Sequence, residues 1–468
     1  MLLVGFHSGL GVIEDNKISE NDCAGVCIER QACPELKNND IFAGRDHGVW
    51  VRDGGRGTLT GNTIFTNVGH GVYVTSAGEP LLDSNTIKDG HLSGICVDQK
   101  GLGVAQGNKV HHNAMAGILV CDGGDPVMKD NEIHEGCGPG ILVENGGLGT
   151  FLSNSVHDNV ASGVEVRLGG NPKMSQNNIF SGRQYGILCH SDASGCFSEN
   201  VIESNELAGV ALQSGACSQV EKNKVRNSKA AGVVLSNECG AAKVTGNDIS
   251  DNTGAGVLVE GCKLPLISNN TVERNYVGFH CLEGCFTSME GNTVNNNAAW
   301  GCRLESGSGP TFRANRISSE KVGMSVCDGC TARLEGNEFY EHHDRNDSFV
   351  GGDCFCCIDV SGSGAQPEII NGNKFHTNTC DAAIHFQKAA VGTVEGNSFE
   401  NNTCPAITVE TEAAPSVTGN TFRSNSVGVK VMNGGSGTFR RNDITGQTLA
   451  GVCIESGGQP VFNGNKIK

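Results

Sequence analysis

The chain is poor in the residues that build large aromatic cores, membrane spans and nucleic-acid-binding surfaces. Only 5% of its 468 residues are aromatic, and no stretch approaches the roughly 18 consecutive apolar residues of a membrane-spanning helix. Lys and Arg number 34 against 51 Asp and Glu, so the net charge of −17 argues against binding to a phosphate backbone. The first residues lack the basic region and cleavage site of a secretory signal. We therefore expect no nucleic acid, no membrane, and a cytoplasmic or nuclear location.

A sustained 3.6-residue apolar period is also missing, which argues against helical repeats. What recurs is an asparagine followed two residues later by Ile, Val or Phe. After Asn16 the members of this ladder lie 23 residues apart, at Asn39, Asn62, Asn85, Asn108, Asn131, Asn154, Asn177, Asn200 and Asn223. Ten more follow at steps of 22 to 24 residues, except for one step of 36 between Asn337 and Asn373. A fixed period of this length indicates a solenoid, whose units stack because none buries its apolar face alone.

The interior of each repeat indicates strands. Short runs such as Ile141–Val143 and Thr150–Leu152 alternate apolar and other residues, and turn-forming Gly, Asn, Asp and Pro separate them. We predict an all-β fold, a right-handed single-stranded parallel β-helix of about 20 coils with 22–24-residue repeats. The turn before the ladder asparagine alternates between proline and glycine, as at Pro34 and Gly57, which indicates a two-coil super-repeat of about 46 residues.

We expect one domain over residues 1–468, truncated or uncapped at both ends. By register Met1 lies inside a strand, and the chain ends just past a ladder asparagine at Asn465. An irregular coil with an inserted loop is expected over residues 338–366, where the long step falls.

The registered asparagines and glycines are expected to be structural. An asparagine at the same corner of every coil can pass amide hydrogen bonds along the stack. A glycine also recurs before the second strand, as at Gly25 and Gly48, where a side chain would crowd the corner or need an unfavourable φ.

The 22 cysteines form no obvious disulfide framework. Cys217, Cys239, Cys262 and Cys285 lie 22 or 23 residues apart and should stack about 5 Å apart. They would be thiols in a reducing compartment. Disulfides and glycosylated sequons would instead support the alternative of a secreted protein.

A two-coil signature suggests a family. Residues 39–62 read NDIFAGRDHGVWVRDGGRGTLTGN, and residues 126–159 read PVMKDNEIHEGCGPGILVENGGLGTFLSNSVHDN. This pattern resembles the β-helix of the F-box-only proteins, the substrate receptors of cullin–RING ubiquitin ligases. The resemblance implies a protein-binding scaffold that captures a protein substrate, of basic character given the charge of −17. The ligase adaptor would bind only through a segment that this chain lacks, since neither an F-box nor a zinc-finger segment is recognisable.

The long step between Asn337 and Asn373 carries the candidate binding loop, whose polar residues are Glu341, His342, His343, Asp344, Arg345, Asp347 and Asp353. Insertions of this kind in solenoids fall on one face and often bind partners. A zinc site at residues 342–357 is a second alternative, with His342, His343, Cys354, Cys356 and Cys357 as ligands. A merely tolerated loop is the third. No other cofactor is expected.

Enzymes share this architecture, and we weigh them as alternatives. Neither Asp-Asp nor Asp-x-Asp occurs, so the clustered aspartates of inverting hydrolases are missing. His111, His134 and His157 should form a row with a spacing of about 5 Å, at an exposed turn position that otherwise tolerates many residues. We therefore expect no catalytic residue and no enzymatic activity. The alternatives are a polysaccharide lyase, hydrolase or epimerase and an extracellular adhesin or surface repeat protein.

Overall fold

Each repeat folds into one coil of three short strands, and equivalent strands of successive coils pair in parallel. The computed structural model describes residues 2–4, 9–305, 307–343 and 355–468. All regular secondary structure within these ranges is β-strand, which confirms the predicted all-β parallel solenoid. Nowhere in these ranges is there a helix long and apolar enough to cross a membrane.

The chain forms two compact units, residues 1–230 with 239–242 and residues 231–238 with 243–468. Each unit contains three parallel sheets, which we call A, B and C in the order in which the chain visits them. The expectation of one domain over residues 1–468 stays a prediction.

In the first unit, sheet A (β1 and every third strand to β28) comprises Leu2–Val4, Val26–Ile28, Val49–Val51, Val72–Val74, Ile95–Val97, Ile118–Val120, Ile141–Val143, Val164–Val166, Ile187–Cys189 and Val210–Gln213. Sheet B (β2 to β29) comprises Val12–Glu14, Glu35–Lys37, Arg56–Thr60, Glu79–Asp83, Val104–Gln106, Val127–Lys129, Thr150–Leu152, Lys173–Ser175, Cys196–Ser198 and Gln219–Glu221. Sheet C (β3 to β30) comprises Lys17–Ser19, Asp40–Phe42, Thr63–Phe65, Thr86–Lys88, Lys109–His111, Glu132–His134, Ser155–His157, Asn178–Phe180, Val201–Glu203 and Lys224–Arg226.

In the second unit, sheet A (β31 to β58) comprises Val233–Ser236, Ala255–Val259, Val277–Cys281, Trp300–Leu304, Val322–Val326, Cys356–Ser361, Ala382–Gln387, Ile407–Val409, Val427–Val431 and Ala450–Ile454. Sheet B (β32 to β59) comprises Lys243–Thr245, Leu266–Ser268, Ser288–Glu290, Thr311–Arg313, Arg333–Glu335, Glu368–Ile370, Thr393–Glu395, Ser416–Thr418, Thr438–Arg440 and Val461–Asn463. Sheet C (β33 to β60) comprises Asp248–Ser250, Thr271–Glu273, Thr293–Asn295, Arg316–Ser318, Glu338–Tyr340, Lys374–His376, Ser398–Glu400, Thr421–Arg423, Asp443–Thr445 and Lys466–Ile467.

The ladder asparagine is confirmed as a structural residue. Asn108 Nδ2 donates to Asn131 Oδ1 over 2.9 Å and to the carbonyl of Leu82 over 3.0 Å. Its own Oδ1 accepts from the backbone and side-chain nitrogens of Asn85, both at 2.9 Å. Because the side chain is fully buried, water cannot reach these groups, and without the ladder they would have no hydrogen-bond partner.

Each sheet C strand begins one residue after a ladder asparagine, and all of them except the two-residue β60 (Lys466–Ile467) span three residues. The middle residue points inward, as Ile133 and Phe375 do, and both of these are fully buried. Left-handed residues bound the strand on both sides, for example Asp130 (φ 53°) and Glu135 (φ 52°) around β18. The first and third residues of every sheet C strand therefore face outward at fixed positions.

Crowding, rather than φ, explains the registered glycines. A Cβ at Gly48 would lie 2.5 Å from Ile64 Cγ2 and 2.6 Å from the carbonyl oxygen of Gly71. The φ of Gly48 is not positive, so the second explanation offered by the sequence does not apply.

Candidate functional site

The outward positions of sheet C in the second unit form a groove of about 460 Å³, which we call the sheet C groove. It crosses β45 (Glu338–Tyr340), β48 (Lys374–His376) and β51 (Ser398–Glu400). Glu338, Lys374 and Ser398 are register partners in one outward column, and Tyr340, His376 and Glu400 are register partners in the other. The volume lies within the range of small-ligand sites, and most of the residues that line the groove have polar side chains.

A carboxylate and an imidazole are paired inside this groove. His376 Nε2 lies 3.0 Å from Glu338 Oε1, and Arg316 Nε donates to Glu338 Oε2 over 2.9 Å. The hydrogen bond from His376, followed by the Arg316 guanidinium, lowers the pKa of Glu338, so this carboxyl group stays ionised. Both side chains are about 30% exposed, which leaves them accessible to a ligand.

The two ring nitrogens of His376 have different neighbours. Its Nε2 faces the carboxylate, and Nδ1 lies 3.2 Å from Thr377 Oγ1, whose hydroxyl donates to the His376 carbonyl over 2.7 Å. In the neutral ring Nδ1 carries a lone pair that can accept a proton, and in the charged ring both nitrogens can donate. A carboxylate that orients an imidazole and stabilises its charged form is an arrangement suited to general acid–base chemistry.

A phenol and three cations lie in or beside the groove. The Tyr340 ring is stacked on that of His376, with 5.6 Å between centroids, and the Arg316 guanidinium lies 5.2 Å from the Tyr340 centroid. Lys374 and Arg423 are exposed, and within the described ranges neither takes part in an ion pair. These two cations can therefore receive an anionic group of a ligand.

The predicted binding loop begins at the end of this groove. Glu341 directly follows Tyr340 and has φ 56°, and His343 Nδ1 contacts Thr379 Oγ1 at 2.9 Å. His342 is fully buried, with its ring nitrogens 3.1 Å from the carbonyl of Ile317 and 3.3 Å from that of Glu320. The remaining predicted residues, Asp344, Arg345, Asp347 and Asp353, lie outside the described residues.

The described members of the predicted zinc set are not brought together. Both ring nitrogens of His342 face backbone carbonyls, and burial lowers its pKa to about 4. Cys356 and Cys357 are buried, and Cys357 Sγ contacts Cys380 Sγ at 3.9 Å rather than an imidazole. Cys354 lies outside the described residues, so zinc at residues 342–357 stays a prediction.

A family model described as the right-handed β-helix region matches residues 4–125, 93–249, 169–317, 215–373 and 356–468. The chain belongs to the right-handed β-helix family. This match confirms the predicted handedness and carries no information specific to F-box receptors. A search of curated proteins finds no match.

Three solved structures illustrate what this β-helix chain is similar to. The periplasmic alginate epimerase AlgG is 13% identical over 75% of this chain and 73% of its own, with a TM-score of 0.32. A mannuronan C-5 epimerase A-module from Azotobacter vinelandii is 13% identical over 89% and 91%, with a TM-score of 0.22. An alginate lyase is 9% identical over 99% and 98%, with a TM-score of 0.26. The likeness at these values is one of fold.

These comparisons correct the expectation that the chain is not an enzyme, because all three β-helix proteins are carbohydrate-active enzymes. Since the likeness concerns the fold, the chemistry proposed below rests on the residues of the sheet C groove.

The predicted histidine row forms on the β-helix surface of the first unit. The rings of His111, His134 and His157 are stacked with centroids 4.9 and 5.0 Å apart, and Phe180 continues the stack at 4.7 Å. They lie on sheet C strands, not in turns. Because each interior ring is covered on both faces, only the ring edges are available to a ligand.

The cysteine ladder is mostly interior. Cys217 is exposed, whereas Cys239, Cys262 and Cys285 are buried in their units. Cys217 and Cys285 are free thiols.

The residues of the sheet C groove escaped the sequence reasoning, although a signal for them exists. Glu338 and Tyr340 lie one and three residues after Asn337, and Lys374 and His376 lie one and three residues after Asn373. The same count from the ladder asparagine predicts the row at His111, so extending it to the second half of the chain would have aligned the groove.

Proposed function

We propose that the chain is a β-helix lyase that cleaves an acidic, uronate-containing polysaccharide in the sheet C groove. The observation that carries the proposal is the Glu338–His376 pair, which lies in an open groove beside unpaired cations. A hydrolase would instead need two carboxyl groups placed on either side of the scissile bond. In this groove Glu338 is engaged by an imidazole and a guanidinium, and the second carboxylate, Glu400 Oε1, accepts a hydrogen bond from Ser398 Oγ over 2.7 Å.

Each group has a role in breaking the bond. Lys374 and Arg423 would bind the uronate carboxylate and so make the neighbouring C-5 proton more acidic. His376 Nδ1 would take that proton, while Glu338 stabilises the resulting imidazolium. The C-4 to oxygen bond would break as the C-4 to C-5 double bond forms. The Tyr340 hydroxyl would then protonate the departing oxygen.

The positions of the acid and the base favour elimination over epimerisation. Tyr340 and His376 occupy one outward column on adjacent strands and would reach a bound sugar ring from the same side. Removal of a proton and protonation of the leaving oxygen on one side give syn elimination. Epimerisation requires the second proton to arrive from the opposite side of the ring.

The test compares variants on a panel of polyuronates, with a neutral glucan as the control polymer. Unsaturated product is followed by ultraviolet absorbance. We expect His376→Ala and Tyr340→Phe to lower kcat by about 100-fold or more, which is the usual share of a general acid or base. Lys374→Ala should both raise KM and lower kcat, because it removes a contact to the uronate carboxylate that also makes the C-5 proton more acidic.

The matched control is His190→Ala, because His190 Nε2 also faces a carboxylate, Glu165 Oε1, at 3.2 Å, but His190 directly follows a sheet A strand, Ile187–Cys189, of the first unit. It should leave kcat unchanged. Absence of turnover of every polyuronate by the folded wild-type protein would contradict the proposal. Equal loss of activity in His190→Ala and His376→Ala would do so as well.

A protein-binding role is the second candidate, and its finer form is the substrate arm of an F-box-type receptor. An open groove of about 780 Å³ on sheet B of the first unit favours it, with Leu81, Leu102 and Val104 along an apolar floor. Peptides selected by display should bind there and lose affinity in Val104→Lys. Binding that Val104→Lys leaves intact would exclude this groove.

A further inference from the structure

Three chemically reactive side chains meet on the outer face of sheet A in the first unit, and the proposed lyase chemistry uses none of them. Cys96 Sγ, Cys121 Sγ and a carboxylate oxygen of Asp98 lie within 4.8 Å of one another. We call this group the thiol–carboxylate cluster. Its members are 2%, 8% and 8% exposed, in the order Cys96, Cys121 and Asp98.

The strand register creates this cluster. Cys96 is the outward residue of β13 (Ile95–Val97), and Asp98 is the next outward position of the same coil. Val97 pairs with Val120 of the next coil, so the residues that follow them, Asp98 and Cys121, lie side by side. The register thus brings the two thiols and the carboxylate onto adjacent coils.

The Asp98 carboxylate is only half satisfied. The Tyr73 hydroxyl donates to Asp98 Oδ2 over 2.7 Å. The other oxygen, Oδ1, is buried and has no hydrogen-bond partner in the described part of the chain. A buried carboxylate oxygen without a partner is unfavourable unless a cation or a donor joins it.

We propose that Cys96, Cys121 and Asp98 form a binding site for a divalent cation of the zinc type. Two thiolates and one carboxylate suit Zn²⁺ and softer ions, whereas Mg²⁺ and Ca²⁺ take oxygen ligands. Tetrahedral zinc would need ligand atoms about 3.5 to 3.8 Å apart, a closure of about 1 Å from the upper separation here. Tyr73 holds Oδ2 and would orient Oδ1 toward the ion, as outer-shell partners of metal ligands do.

Three protein ligands leave a fourth coordination position for water or a small ligand. The site belongs to the first unit, and the sheet C groove belongs to the second. The metal-site proposal can therefore be tested independently of the lyase proposal.

The test uses Co²⁺ alone as the probe on the metal-free full chain, because cobalt bound to thiolate gives a charge-transfer absorption that zinc lacks. We expect one Co²⁺ per chain, displaced by Zn²⁺, and a rise in melting temperature on loading. Cys96→Ser and Cys121→Ser should each abolish the charge-transfer band. Tyr73→Phe should weaken cobalt affinity about 10- to 100-fold, a change expected of an orienting residue.

Two controls keep the test decisive. Cys137→Ser removes an exposed cysteine of the same unit and should leave the titration unchanged. Asp98→Asn keeps the shape and an acceptor for Tyr73, so it should fold and yet bind cobalt weakly. Cobalt binding that survives Cys96→Ser and Cys121→Ser, or a Cys96–Cys121 disulfide in the metal-free protein under reducing conditions, would overturn the proposal.

Discussion

His342 shows how one residue can combine a structural position with a titratable group. It lies five residues after Asn337, the position that Asn378 and Asn402 occupy in the following coils. Its backbone nitrogen donates to Asn378 Oδ1 over 3.1 Å. A histidine therefore replaces an asparagine in a second, buried ladder. His342, which the sequence suggested as a zinc ligand, lies inside the coil.

This replacement should make the protein sensitive to acid. Burial lowers the pKa of His342 to about 4, against about 6.5 in an unfolded chain. Between these values the unfolded state takes up a proton that the folded state does not. The stabilisation is thus complete above pH 6.5 or so and is lost as the pH falls toward about 4.

We expect His342→Asn to remove about 2 kcal/mol of the loss in unfolding free energy between pH 7 and pH 5. Asparagine suits the site because Asn378 Nδ2, at the equivalent position, donates to the carbonyl of Phe339 over 3.2 Å. Urea unfolding at the two pH values measures the difference. An identical loss in both proteins would contradict this role of His342.

The asparagine ladder is the element that the sequence predicts best. Its period, its corner position and its hydrogen bonds all follow from a 23-residue register and from the need to satisfy buried amides. The same register locates the sheet C strands. It does not show which outward column lines a groove, because that depends on how neighbouring side chains fill space between coils.

Removing one ladder member should be costly. In Asn108→Ala the carbonyl of Leu82 and the backbone N–H of Asn85 both lose their partner in a buried environment. We expect a loss of about 2–4 kcal/mol in unfolding free energy, measured by urea denaturation. The control Asn178→Ala changes an exposed asparagine of sheet C and should shift stability by less than about 0.5 kcal/mol. Equal effects of the two substitutions would argue against the ladder as a source of stability.

The insertion limits what can be read from the sequence. The 36-residue step exceeds the usual 23 by 13 residues, which suggests a loop that begins near Glu341. Counting from Asn337 still assigns His342 to the ladder, and the extra residues follow it. The loop stands out in the sequence by its polar composition. The groove strands β45 and β48 beside it have an ordinary strand composition.

On the scale of the whole molecule, the net charge is negative, whereas the groove offers a ligand two positively charged side chains. The net charge of −17 repels a polyanion at long range. At physiological salt the screening length is about 8 Å, so the cations of the groove act on a bound chain mainly at contact. Lys374 and Arg423, outside the ion pairs of the described residues, provide that contact.

The right-handed β-helix fold was predictable because the same sequence pattern occurs in twenty successive repeats. The proposed lyase activity depends instead on a few side chains that occur once. Gly48 and Ile133 could be placed from their register alone. Glu338 and His376 could not be recognised as a pair, because 38 residues and the inserted loop separate them in the chain.

Mass spectrometry of the products formed from a polyuronate is the most direct measurement. A lyase leaves oligosaccharides with an unsaturated uronate at one end, each lighter by one water than the product of hydrolysis. We predict these lighter products from the wild-type protein and none from His376→Ala. Products heavier by one water, a polymer epimerised without cleavage, or an unchanged polymer would contradict the assignment of the sheet C groove as a lyase site.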